Sequence, residues 1–135
     1  MFEVGKVYRR RDIHDELGGQ RQGGISTPSG QPFLLLFTGE AGRQYGYVDG
    51  WTEDGVFLYT GEGQQGDMEF TRGNRAIRDH AADGRDLHLF RNVGKGCVEY
   101  VGWMVCTGHE VREGTDGCGG RRKVIVFELT PWVAR

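Results

Sequence analysis

Apolar residues in this chain come in short runs, none longer than five, separated by polar and glycine-rich stretches. The densest run, Phe33-Leu34-Leu35-Leu36-Phe37, is continuous rather than alternating, which predicts a strand over 32–38 covered on both faces. Further strands are predicted over 4–8, 45–48, 56–60, 87–92, 97–109 and 123–129. Gly102 inside the long sixth run marks a bulge or bend. Helical signals are fewer. Residues 11–17 read as a short helical turn with Asp12 as cap and Gly18-Gly19 as stop, and 67–70 as another turn. Residues 75–82 read as the one longer helix, capped by Asn74 and ended by Asp83-Gly84. Many strands with one or two short helices predict an α+β, mainly β class, built as a curved sheet or small β-barrel.

Composition sharpens this picture. Of 135 residues, 24 are glycine and 3 proline with no Gly-X-Y period, so the glycines serve turns, bulges and close backbone approaches. Residues that are 37% hydrophobic and 11% aromatic supply apolar surface for a single packed domain over 1–135. A formal net charge of −2 gives no global signal for a polyanionic partner. The basic residues nevertheless cluster, as Arg9, Arg10, Arg11 and Arg21 near the start and Arg112, Arg121, Arg122 and Lys123 near the end. Three cysteines without a CxxC pair, and no leader-like or membrane-length run, predict a reducing, cytoplasmic setting and no membrane association. The four histidines are scattered, and no metal site is expected.

Catalytic signals are weak. No GxSxG elbow is present, the glycine-rich segment 61–66 lacks the Lys-Ser/Thr ending of a phosphate-binding loop, and no carboxylate or His-Asn-His cluster marks a nuclease. The expectation is a binding module without catalytic residues or cofactor. Its densest chemistry is Tyr45-Gly46-Tyr47-Val48-Asp49-Gly50-Trp51 followed by Tyr59-Thr60-Gly61. Rings, a carboxylate, a hydroxyl and bare glycine backbone are the parts of a pocket for a planar heterocycle, whose amino group the acid would accept. The same spacing also suits core tyrosines and an ordinary Asp-Gly turn.

These residues carry a family resemblance. Tyr59-Thr60-Gly61-Glu62-Gly63, Gly66-Asp67-Met68 and Arg72-Gly73-Asn74-Arg75-Ala76-Ile77 resemble the ordered string of the SRA (SET- and RING-associated, or YDG) domain. Gly23-Gly24-Ile25, Gly46-Tyr47-Val48-Asp49-Gly50, Tyr100-Val101-Gly102 and Phe127-Glu128-Leu129 fall in the same order, so the likeness covers essentially the whole chain. It implies a PUA-like curved sheet or barrel that binds duplex DNA and flips 5-methylcytosine into a pocket. Tyr47 and Tyr59 would stack on the two faces of the base, Asp49 would accept from the cytosine N4 amino group, and Thr60 and Gly61 would meet its remaining edge. Gln20, Arg21 and Gln22 would enter the groove vacated by the base. Arg9, Arg10, Gln64, Asn74, Arg75 and Arg122 complete the expected groove and backbone contacts.

Two departures from well-known eukaryotic members qualify that implication. Their long loop after the YTG motif is here only residues 62–66, which speaks against strict CpG or hemimethylation reading, and Tyr47 and Asp49 are one residue closer together, which leaves Asp54 as a substitute acid. The expected partner is double-stranded DNA containing modified cytosine, in a nucleoid-associated setting. Bacterial relatives join such domains to HNH nucleases, so a fused or associated nuclease fits beside it. The alternative is a PUA-like module binding RNA or a small molecule in the same pocket.

Overall fold

A computed structural model describes residues 2–39, 49–116 and 118–132. The expected strand at 45–48 lies outside them. The elements in chain order are β1 (Val7–Arg9), α1 (Arg10–Leu17), β2 (Ile25–Ser26), β3 (Phe33–Thr38), β4 (Gly50–Trp51), β5 (Phe57–Thr60), α2 (Arg72–Arg78), β6 (Asp86–Gly94), β7 (Cys97–Thr115) and β8 (Arg121–Pro131). Among the described residues the strands form one curved sheet in the order β2-β3-β6-β7-β8-β5-β4, with β1 on β7. The sheet stays open and does not close into a barrel, so of the two expected forms the curved sheet is realised.

The unbroken apolar run of β3 has a direct structural reason. Leu34 and Leu36 point into one core with Leu87, Leu89, Ile77 and Phe127, while Phe33, Leu35 and Phe37 point into a second with Ile13, Phe90 and Tyr100. A strand covered on both faces has no position for a polar residue. β3 pairs in parallel with β6, Phe33 opposite Asp86 through Thr38 opposite Arg91. Every other pairing described is antiparallel.

The bulge at Gly102 is present. The β6–β7 register steps from Leu89↔Gly102 to Phe90↔Tyr100, leaving Val101 as the extra residue. β7 and β8 run on past the body of the sheet as a hairpin, paired as far as Thr115↔Arg121.

Four local expectations need correction. Asp12 does not cap the first helix: it lies in the first turn of α1, whose N-cap is Arg9. Residues 67–70 form no helical turn; the Met68 amide donates to Lys123 O, which lays this segment along β8. The second helix begins earlier and is shorter than expected, with Thr71 at its N-cap and Asp79 at its C-cap. Asn74 therefore sits inside α2, and it is buried. Its side chain prefers other backbone: Oδ1 accepts from the Glu62 amide at 2.8 Å, and Nδ2 donates to Glu62 O and Glu69 O, each at 3.0 Å.

Candidate nucleic-acid interface

Asp49 immediately precedes β4, whose pairing with β5 sets Gly50 opposite Leu58. This brings the carboxylate between the ends of two strands. Oδ2 accepts from the Thr38 hydroxyl at 2.6 Å, and Oδ1 accepts from the Thr60 amide at 2.8 Å. Burial pushes the Asp49 pKa up, and the bonds from Thr38 and Thr60 oppose the shift. A carboxylate has about four lone-pair sites, so Asp49 keeps acceptor capacity beyond these bonds.

Asp49 is one of the residues lining a cavity of about 740 Å³, with Thr38, Trp51, Phe57, Tyr100, Arg91 and Glu99 among others. Trp51 is half exposed and meets Phe57 edge-on at 5.3 Å. Arg91, on the rim, pairs with Glu99 at 2.5 Å. The cavity thus combines aromatic surface, one desolvated acid and one cation, which suits a planar, partly polar guest. Thr38, Arg91 and Tyr100 were not expected at the site. They come from β3 and from the β6–β7 pair, which is distant from β3 in sequence, and only the position of Thr38 at the end of the apolar run hinted at it.

Tyr59 sits behind this arrangement. It is only 2% exposed, its ring belongs to the larger core, and its hydroxyl lies 2.7 Å from Gly24 O and 3.1 Å from Phe37 O. Burial, and then the charges of Asp49 and Glu62, hold its pKa well above the usual phenol value. Gly24 permits this contact, because a Cβ there would stand 2.8 Å from the Tyr59 hydroxyl. Gly61 donates to Ile125 O at 2.8 Å, and a Cβ at Gly61 would strike the engaged Asn74 Oδ1 at 2.7 Å. Tyr45, Gly46, Tyr47 and Val48 lie outside the described residues.

The residues expected to touch DNA divide into two groups. Arg9, Gln22 and Gln64 are exposed, and Arg75 is exposed and pairs with Asp79 one helical turn on at 3.8 Å. Gln20 and Arg21 are also exposed but engaged: Gln20 Oε1 accepts from the Thr27 amide at 2.7 Å, and Arg21 pairs with Asp15 at 2.6 Å. Arg10 lies 3.7 Å over the Phe37 ring, donates to His14 Nε2 at 3.0 Å and to Gln20 O at 3.1 Å, and so fastens the loop that follows α1.

Asn74 and Arg122 do not belong to an exposed surface. Arg122 is 3% exposed and donates to Gly63 O at 2.5 Å, Gly66 O at 3.3 Å and Thr115 O at 3.2 Å. Asn74 and Arg122 serve backbone carbonyls and amides of their own chain.

Among the described residues no group of three or more His, Cys, Asp or Glu side chains is placed to hold a metal, and no helix is long and apolar enough to cross a membrane. A sequence model of the family described as "ScoMcrA-like, SRA domain" matches residues 4–134. The chain belongs to the SRA domain family.

This SRA domain fills the matched span, so the 135 residues hold a recognition domain and no nuclease module. It is similar to the structure described as "Sulfur binding domain and SRA domain of ScoMcrA complexed with phosphorothioated DNA", with 27% identity, TM-score 0.78, and coverage of 99% of this chain and 41% of the other. It is also similar to "the Type IV phosphorothioation-dependent restriction endonuclease ScoMcrA", with 26% identity, TM-score 0.78, and coverage of 99% and 29%. The chain thus spans well under half of either relative. The SUVH5 SRA domain bound to fully methylated CG DNA shares the fold, with TM-score 0.69 and 23% identity over 98% of this chain and 90% of that one. No curated protein sequence matches the SRA domain significantly.

Proposed function

We propose that this SRA domain binds duplex DNA and recognises a modified cytosine, 5-methylcytosine foremost, by taking the flipped base into the cavity beside Asp49. The observation that carries the reading is a desolvated carboxylate, oriented by Thr38 and Thr60, that lines a 740 Å³ space together with aromatic side chains. Such a group suits the N4 amino group of cytosine. Flipping costs a few kcal/mol, and stacking at ~1–3 kcal/mol per base together with edge hydrogen bonds is of the size needed to offset it.

Tyr59 adjoins Thr60 but is only 2% exposed and is not among the residues lining the cavity, so its ring serves as a stacking face only if entry of a base beside Asp49 opens the core around it. Tyr47 supplies the opposite face, Gly61 lets backbone approach the edge, and Gln22 and Arg21 fill the place the base leaves. Arg9 and Arg75 contact phosphate. The relatives lend support of two kinds, since SUVH5 is complexed with methylated DNA and ScoMcrA with phosphorothioated DNA. ScoMcrA has a sulfur-binding domain beside its SRA domain, which favours a base, rather than a backbone sulfur, as what this fold reads. A whole protein containing this domain would direct a fused or associated nuclease to such DNA.

Fluorescence anisotropy with matched methylated, unmethylated and phosphorothioated duplexes at one salt concentration tests the proposal. Tighter binding to the methylated duplex is expected. Equal binding to all three would reduce the domain to a non-selective DNA binder, and no duplex binding at moderate salt would favour the RNA or small-molecule alternative.

A further inference from the structure

The buried Arg122 does something other than meet DNA directly. We infer that Arg122 is a positioning residue for DNA contact, acting by fastening loop 61–66 to the β7–β8 hairpin; the inference rests on the duplex-binding reading above. Its guanidinium donates to Gly63 O and Gly66 O in the loop and to Thr115 O at the end of β7. A planar fork with several donors suits carbonyls in different directions, which a single ammonium serves less well.

Independent bonds hold the same seam. Asp116 Oδ2 accepts from the Gly66 amide at 3.2 Å, while its Oδ1 accepts from the Cys118 and Gly120 amides at 3.0 and 2.8 Å. The Lys123 amide donates to Asp67 Oδ1 at 2.7 Å, and the Met68 amide to Lys123 O at 2.9 Å. The loop is thereby joined to the hairpin along its C-terminal half. Gln65 Nε2 also donates to Cys118 Sγ at 3.7 Å, which leaves the exposed Gln64 outside the seam, beside the exposed Lys123 and Arg121, the latter paired with Glu113 at 2.9 Å.

The consequence is pre-ordering. A loop that followed Thr60 freely would have to be fixed when the duplex arrives, and each backbone residue so fixed weakens binding by roughly a factor of ten. With Arg122 in place, Gln64 is presented beside the hairpin cations before contact.

The test compares Arg122→Met and Arg122→Lys with the parent 135-residue protein, using amide hydrogen exchange over 61–68 and duplex affinity across a salt series. Arg122→Met is expected to speed exchange at Gly66 and Met68 and to weaken binding ~10-fold for methylated and unmethylated duplexes alike. The slope of log affinity against log salt should remain that of the parent, and Arg122→Lys should recover part of both losses. A slope reduced by about 1 with loop exchange unchanged would overturn the inference, since that is the signature of a phosphate contact.

If Arg122→Met also loses protection in β3 and β6, and so fails to fold, Asp116→Asn is read in its place. A smaller rise in exchange at Gly66 with weaker binding supports the seam; no change in either overturns it. A parent protein that binds no duplex removes the DNA-contact role altogether. Raised exchange in Arg122→Met would then still locate the failure in the functional reading and not in the fastening.

Discussion

Asp49 and Arg122 are both charged groups withdrawn from solvent, and their surroundings differ in one respect. Asp49 is oriented by two threonines from strand ends and lines an open cavity. Arg122 is enclosed by carbonyls of the loop and hairpin that it joins. Burying a charge is costly in both places. In the first the remaining capacity can be used by a guest, and in the second the bonding is used to hold the chain in shape. Burial of a charge alone therefore does not mark a binding site; spare capacity beside open space does.

Four experiments test that contrast. The largest effect is expected behind the cavity, where Tyr59→Ala should lower stability by ~3–5 kcal/mol in denaturant unfolding, as removal of a core ring does. Tyr59→Phe keeps the ring and strips the hydroxyl from the Gly24 and Phe37 carbonyls, for about 1–2 kcal/mol. If Tyr59→Ala instead unfolds at the parent's midpoint while methyl preference disappears, the ring acts on the base alone and contributes nothing to the core.

Asp49→Ala should come next, lowering affinity for a methylated duplex by ~1–3 kcal/mol with little change in the salt slope. Its pH behaviour has a definite sign. Because burial raises the Asp49 pKa, the group favours the folded state below its ordinary value of 3.8, and that contribution is lost as pH rises through the folded pKa. The ionised carboxylate is the stronger acceptor, so affinity should fall as pH drops through the same raised pKa, and Asp49→Asn should lack that fall. An identical pH profile in Asp49→Asn would assign the titration to another group.

The third experiment concerns exposed cations. Arg9→Gln and Arg75→Gln should each weaken binding to every duplex and reduce the salt slope by about 1, in contrast to Arg122→Met. Full retention of the slope in both would turn that face of the domain away from DNA.

The smallest effect is expected at the loop after α1. His14 Nε2 accepts from Arg10, and its Nδ1 lies 2.8 Å from Gly18 O, so the ring is held neutral and burial lowers its pKa. A lowered histidine pKa means stability present above the ordinary 6.5 and lost as pH falls toward the folded pKa. Hydrogen-exchange protection in the segment around Gln20, taken relative to the intrinsic rate at each pH, should therefore fall on mild acidification. His14→Gln, which keeps an acceptor for Arg10, should blunt the response; an undiminished one would place the acid sensitivity elsewhere.

How much of this was legible in the sequence varied with how local each cause is. The Phe33–Thr38 strand could be read because double-sided burial leaves an uninterrupted apolar run, and the Val101-Gly102 bulge because glycine interrupts a long strand. Asn74 misled for a sound reason, since asparagine favours helix caps, yet its amide found better partners at Glu62 and Glu69 once α2 packed beside them. Arg122 read as surface charge because a sequence does not display the carbonyls that a loop and a hairpin bring to it. The cavity was half legible: Asp49 and Thr60 stood in one motif, but Arg91 and Tyr100 reach it only through the pairing of β6 with β3 and β7.

The parallel pairing of β3 with β6 has a kinetic consequence. Asp49, Trp51, Phe57 and Thr60 all lie on the excursion between these two strands, so the site cannot be assembled by zipping up neighbouring hairpins. Closing so long a loop comes before the contacts that reward it, and folds with such contacts form slowly. The β7–β8 hairpin, whose two strands are joined by a short turn, has no such wait. On a refolding chain the projection that carries Arg121 and Lys123 is therefore expected to form first, and selectivity for a base to emerge only when the last central strands dock.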